Sequence, residues 1–204
     1  MRLCPLAALL TATLLAATGA RAETGMQTYD LPDADGESAD APDSRAAALD
    51  MLFERLASAK NATESRAFEE AIREIWLDSG SPGIDLLMAR GFDALREEDY
   101  DRAYFYFDEV VTLAPGFAEG WDKRAAVHYI RENYAEALQD IEQVLRLEPR
   151  HYQAMAGLGV ILEELGDKKG ALDAFRRALA LNPWLTNITE RIGPLEIEVE
   201  GRGI

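Results

Sequence analysis

Two histidines, His128 and His151, one cysteine, Cys4, and 37 acidic side chains are the groups in this 204-residue chain equipped for chemistry. A structural zinc site takes four Cys/His donors, and three such residues scattered from position 4 to position 151 do not supply them. A single cysteine closes no disulfide within the chain. The sequence holds no nucleophile elbow and no phosphate loop. Paired carboxylates, the acid and base of a hydrolase, are the remaining chemistry, but most acids fall on the outer faces of the helices read below. Asp33-Ala34-Asp35-Gly36-Glu37 has the look of a calcium loop. With Gly36 as the turn glycine, however, its first ligand is Leu31 and its bidentate acid is Pro42, and neither coordinates. The expectation is a protein with no catalytic residue, no metal and no cofactor.

Charge narrows the partners. Lysine and arginine total 21 against 37 acids, a net charge of −16. Such a surface repels the phosphate backbone, which argues against nucleic acid. The first segment reads as an address. Met1-Arg2 is a positive start, Leu3 to Ala17 is an uncharged Leu/Ala-rich run, and Ala20-Arg21-Ala22 offers small residues to a signal peptidase, with cleavage after Ala22. The run is shorter than a membrane-spanning helix. Cys4 stands at the start of the run, whereas the cysteine of a lipid anchor follows it. Removal of 1–22 takes Cys4, Arg2 and Arg21 with it, and leaves a thiol-free chain suited to an oxidising compartment, the bacterial periplasm. Residues 23–44 then carry seven acids and no base, with Pro32, Pro42, Gly25 and Gly36, the composition of a disordered spacer. Asn61-Ala62-Thr63 and Asn187-Ile188-Thr189 match a glycosylation pattern, but Asn61 reads better as a helix cap.

The elements that position side chains come from a repeat. Pro115, Pro149 and Pro183 are 34 residues apart, and the same period aligns Leu87, Trp121 and Met155. It also aligns Gly91, Ala125 and Gly159; Ala103, Ala137 and Ala171; Phe107, Ile141 and Phe175; and Leu113, Leu147 and Leu181. The small residues read as close helix approaches within a hairpin, with the alanines facing them. Trp121 and Phe175 read as filler between units, and each proline as the turn into the next. The predicted helices are 84–96, 99–113, 118–131, 134–147, 152–165 and 168–181. Before them, Leu49, Leu52, Phe53 and Leu56 make one helical stripe (45–60, capped by Asp43 or Ser44). Phe68, Ile72, Ile75 and Trp76 make another (62–78). After Pro183, a short helix is expected to Arg191, stopped by Gly193-Pro194. Residues 195–200 alternate Leu195, Ile197 and Val199 with Glu196, Glu198 and Glu200, the pattern of an extended strand.

These positions resemble the tetratricopeptide repeat family over about half the chain. Departures are mild: Lys168 stands where Tyr100 and Tyr134 stand, and Arg90 and Arg124 where Leu158 does. The resemblance implies an all-α, right-handed solenoid of helical hairpins, with repeats at 84–117, 118–151 and 152–183. A degenerate hairpin at 45–82 packs on the first repeat, and a short helix with an extended tail fills 184–204. Solenoid stability is a sum of neighbour terms. Arg124 is expected to pair with Asp140, partly buried, and His128 to sit in the packed core.

The resemblance also implies a concave groove lined by the first helix of each repeat: Met88, Phe92 and Leu95, then Asp122, Ala126 and Tyr129, then Ala156, Val160 and Glu163. Met88 and Asp122 hold positions where carboxylate-gripping relatives have lysine, and Phe92 and Ala126 those of asparagine, so that clamp is absent. An apolar groove with acidic edges suits a basic or amphipathic protein segment. The reading is a non-catalytic scaffold or assembly factor for cell-envelope proteins. The alternative is a self-associating protein that lays its C-terminal tail in another copy's groove.

Overall fold

The computed structural model describes residues 41–201, with side chains from 44. The signal cleavage point after Ala22, the calcium-like stretch and the leader up to residue 40 lie outside the described residues. Within them, the chain is helical throughout: α1 (Ala41–Ala57), α2 (Ala62–Leu77), α3 (Pro82–Arg96), α4 (Tyr100–Leu113), α5 (Ala118–Ile130), α6 (Tyr134–Leu147), α7 (Tyr152–Glu164), α8 (Lys168–Leu181) and α9 (Thr186–Glu200). No helix among the described residues is long and apolar enough to cross a membrane.

Helices α3 to α8 form three antiparallel pairs stacked in a solenoid, each end within two residues of expectation. The prolines set the punctuation. Ala114, Glu148 and Asn182 each precede a proline and each takes an extended ψ between 67° and 95°, because a following proline ring excludes the helical region. Within each hairpin the chain turns at Glu98, Glu132 or Gly166, all with positive φ and all 34 residues apart. Gly91 and Gly159 have no alternative. A Cβ at either would lie 2.4 Å from the ring of Phe107 or Phe175 on the second helix of the same hairpin. The small residues thus face the aromatic rings, not the alanines, as the sequence reading had it. A third close approach between helices, Gly120 against Val110 across a repeat boundary, was not among the expected ones.

The first hairpin departs from expectation in its packing. Helix α1 begins at Ala41, so Asp43 and Ser44 fall in its first turn rather than before it, and the last four residues of the supposed spacer are helical. Asn61 caps α2. Its Oδ1 accepts from the Thr63 and Glu64 N–H groups, while Glu64 accepts from the Lys60 N–H in return. Asn61→Ala should cost about 1 kcal/mol, read as a lower urea midpoint.

The hairpin does not stack on α3–α4 as one more repeat. Leu77 reaches the first repeat's core, but α2 meets α5 and α1 meets α8. Its stripe (Leu49, Phe53, Leu56, Ile72, Trp76) closes on Tyr152, Leu181 and Leu185 at the inter-repeat turns. The reason lies in the register. Where the repeats place an alanine and a large apolar residue on the second helix, the same offset falls on Glu69 and Arg73. These charged side chains do not fit against a neighbouring helix. Glu69 instead accepts from the Asn182 amide at 2.9 Å. Asp50 accepts from Arg150, whose guanidinium covers the Phe53 ring at 4.7 Å.

The C-terminal segment is a correction as well. Helix α9 runs through Gly193-Pro194 to Glu200, and residues 195–200 are not extended. Leu195 and Val199, one helical turn apart, pack with Ile188 and Ile192 on Phe175 and Leu172, while Ile197 points out, 53% exposed. Pro194 forfeits one backbone hydrogen bond. Packing and ion pairs hold the helix regardless: Arg176 with Glu196 and Glu200, Lys168 with Glu198, and Arg191 with Glu163. The departure at Lys168 is thereby explained, since it serves α9.

Candidate partner-binding groove

A cavity of about 550 Å³ opens on the concave side, between α5, α7 and the start of α9. Asp122, Ala126, Tyr129, Ala156 and Val160, all read from the sequence as groove residues, line it. Leu185, Asn187 and Ile188 form its far wall. The remaining groove residues lie elsewhere. Met88 is 3% exposed in the core of the first repeat, and Phe92 and Leu95 pack against that same core, Phe92 edge-on to Phe107. Glu163 carries the ion pair to Arg191. The first repeat therefore contributes no wall to this cavity. Met88, Phe92 and Leu95 are taken up by the first repeat's own core, while the start of α9 supplies a wall at the C-terminal end.

The floor is made of small residues, and of the two glycines of α7 only Gly157 lies on it. Gly159 must be glycine because of Phe175. Gly157 has no such reason: a Cβ there would meet Ile141 Cδ1 at 3.8 Å, an ordinary contact. Glycine inside a helix costs about 1 kcal/mol relative to alanine, and α7 bears this cost twice.

At the polar end of the groove lies a buried charge cluster that the sequence reading did not assemble. Glu119, Asp122 and Lys123 share one turn of α5, and His151 arrives from the turn before α7. His151 is fully buried, its Nε2 3.0 Å from Glu119 Oε1. Its Nδ1 accepts the Ala154 N–H at 3.1 Å, capping α7. That second bond fixes the tautomer: Nδ1 carries the lone pair, so Nε2 carries the proton and donates to Glu119. Lys123 Nζ sits 2.7 Å from Asp122 Oδ2 and 3.1 Å from Glu119 Oε2, the latter without hydrogen-bond alignment. Trp76 of the docked hairpin stacks on the imidazole, centroids 4.4 Å apart and planes 7° apart.

Glu119, Asp122 and His151 are close enough to suggest a cation site. The donor chemistry does not fit one. A metal at Nε2 needs that lone pair free and Nδ1 protonated, yet Nδ1 faces a backbone N–H donor. The Lys123 ammonium already lies against both carboxylates, where a cation would have to sit. Burial raises the Glu119 carboxyl, but the His151 hydrogen bond and Lys123 outweigh it and leave it below its ordinary range. Asp122 is lowered in the same way, desolvation being overcome by Lys123. Groups with depressed folded-state pKa values add stability that is full above the unfolded carboxylate range, near pH 4, and is lost as pH falls from there through their lower folded-state values. Stability by urea titration should therefore hold from pH 7 to about pH 5 and fall below it, and Glu119→Gln should flatten the drop.

Arg124 lies behind the groove. Its Nε and Nη2 donate to the two oxygens of Asp140 at 2.8 and 2.6 Å, and Nη1 donates to Asp108 at 2.6 Å. Its guanidinium also covers the Trp121 ring at 4.8 Å. His128 is in the core beside it, edge-on to Tyr104. Burial lowers its pKa against the pull of Asp140, so it is neutral, with Nδ1 lacking a hydrogen bond.

Comparison with known proteins places this geometry in company. A profile described as tetratricopeptide repeat matches residues 123–183. A "TPR repeat-containing protein" of Rhizobium etli is 34% identical over 153 residues, 75% of each chain. The Hsp70-Hsp90 organizing protein of Triticum aestivum is 29% identical over 99 residues, 48% of this chain and 17% of that one. Among solved structures, the Arabidopsis OM64 TPR domain superposes with a TM-score of 0.55 at 22% identity, covering 57% of this chain and 97% of that one. The TPR2B domain of yeast Sti1, in complex with pHsp70, gives 0.52 at 19% identity, covering 59% and 98%.

Proposed function

The chain belongs to the tetratricopeptide repeat family, and on that premise we propose that it is a non-catalytic adaptor of the bacterial periplasm, holding a segment of a cell-envelope protein in the groove between α5, α7 and α9. The observation that carries the reading is the cavity itself: about 550 Å³, floored by small apolar residues and open on the concave side. Space of that size takes several side chains of an extended or helical peptide. Export is supported by the N-terminal segment ending at Ala22 and by the thiol-free chain after it.

The buried carboxylates support a binding role over a hydrolytic one. Glu119 and Asp122 are both held below the ordinary range with Lys123 between them. Neither keeps a proton at neutral pH, as a general acid must. A similar TPR domain, the first of Spaghetti (RPAP3), is bound to the HSP90 peptide SRMEEVD. Here the lysine positions of a carboxylate clamp hold Met88 and Asp122, so an acidic tail does not suit this groove. Tail exchange between copies is disfavoured because α9 packs on its own α8.

The test is capture from the native envelope with the mature chain as bait, crosslinked and identified by mass spectrometry, beside an Ala126→Glu variant. Ala126 is exposed, so the variant should fold, as circular dichroism will show. One identified protein lost with Ala126→Glu supports the groove. The same protein captured by both places the contact elsewhere. N-terminal sequencing of the protein from the periplasmic fraction tests export, and a start at Glu23 is expected.

A further inference from the structure

Gly157 stands mid-helix on the floor of the groove, where the folded chain accepts a Cβ without displacement. Its twin in the same helix, Gly159, is forced by an aromatic ring, and it is not. A residue that weakens its own helix and relieves no contact within the chain points to a close approach from outside. Around it the charge is net negative. The Glu119–Asp122–Lys123 cluster holds two carboxylates and one ammonium beside a neutral His151, so one negative charge is uncompensated at the polar end of the cavity. Lys123, the one cation among the described residues lining the cavity, is already bound to Asp122.

We propose that Gly157 is the seat of a cationic amphipathic peptide. The segment's backbone crosses α7 at this glycine, its aliphatic side chains fill the cavity toward Tyr129 and Ile188, and a lysine or arginine lies at the Asp122 end. This rests on the groove reading above. The occupant follows from charge. A second copy of this chain brings a net −16, and its own residues 23–40 are acidic without a base, so both are repelled from the same place. A cationic segment is drawn in, and salt weakens it.

The test is selection of random twelve-residue peptides displayed on phage against the immobilised mature chain. Winners are then titrated by fluorescence polarisation on wild type, Gly157→Ala, Gly157→Leu and Ala126→Glu. The expected winners are rich in lysine or arginine with aliphatic neighbours, and bind more weakly at high salt. Gly157→Ala should weaken them about tenfold, as one added methyl does in a close contact, and Gly157→Leu should abolish them. Gly157→Ala should at the same time raise the thermal midpoint by about 2–4 °C, so lost binding is not lost folding. Winners that bind wild type and Gly157→Ala equally overturn the role of Gly157, as do acidic winners for the cationic partner. Winners insensitive to Ala126→Glu, or no winners above the bare matrix, overturn the groove reading along with it.

Discussion

Arg124→Leu is expected to cost about 3–5 kcal/mol, the loss incurred when one partner of a buried ion pair is removed. Asp140 is 3% exposed and takes both of its hydrogen bonds from that guanidinium, with Asp108 held by its third nitrogen. Without Arg124, a carboxylate stays buried with no donor from this side, and only His128 Nε2 at 3.9 Å nearby. The third repeat shows the alternative: at the same offsets it has Leu158 and Ala174, apolar and packed. The double variant Arg124→Leu/Asp140→Ala should therefore recover most of the loss. Urea unfolding followed by circular dichroism reads both. If the double variant is as unstable as the single one, the guanidinium's packing on Trp121, and not the charge, is what matters.

Trp76→Ala is the second large effect, again about 3–5 kcal/mol from the cavity it leaves. Its location differs. Trp76 joins Phe53, His151 and Tyr152, centroids 4.4–6.0 Å from its own ring, where the first hairpin meets the solenoid. Hydrogen exchange should rise across residues 45–78 well before it rises in α5 to α8. Trp76→Phe should cost far less, since the indole N–H is buried without a partner and its removal forfeits no hydrogen bond. Uniform exchange across all helices in Trp76→Ala would mean that the hairpin and the repeats open together.

The period of 34 made the repeats legible because each unit repeats its own packing code, and α3 to α8 follow it to within two residues. The docking of α1–α2 was not legible. Leu49, Phe53, Ile72 and Trp76 declare an apolar face, but an apolar stripe does not say what covers it. Glu69 and Arg73 were the signal that it was not another repeat. The tail misled by period: Leu195 and Val199 are equally spaced in a strand and in a helix turn, and only the exposure of Ile197 distinguishes them. In the groove, position within the repeat gave Asp122, Ala126, Tyr129, Ala156 and Val160. It missed the burial of Met88, which faces the first repeat's own core beside Ile84, Phe107 and Leu77. The Glu119–Lys123–His151 cluster joins residues up to 32 apart and types that are ordinary one by one. A Glu/Asp/Lys turn followed one repeat later by a histidine after proline was its trace.

The contacts that fasten the first hairpin span long stretches of chain, 100 residues from Asp50 to Arg150 and 113 from Glu69 to Asn182. A simple solenoid closes each unit on the one just made. Here the first helices synthesised wait for the last, about 5–20 s at ordinary elongation rates. During that interval the faces of Phe53 and Trp76 are uncovered, an invitation to chaperones and to aggregation. Once docked, they turn an array that would unravel from either end into a closed loop of neighbours, so opening becomes concerted and slow to begin.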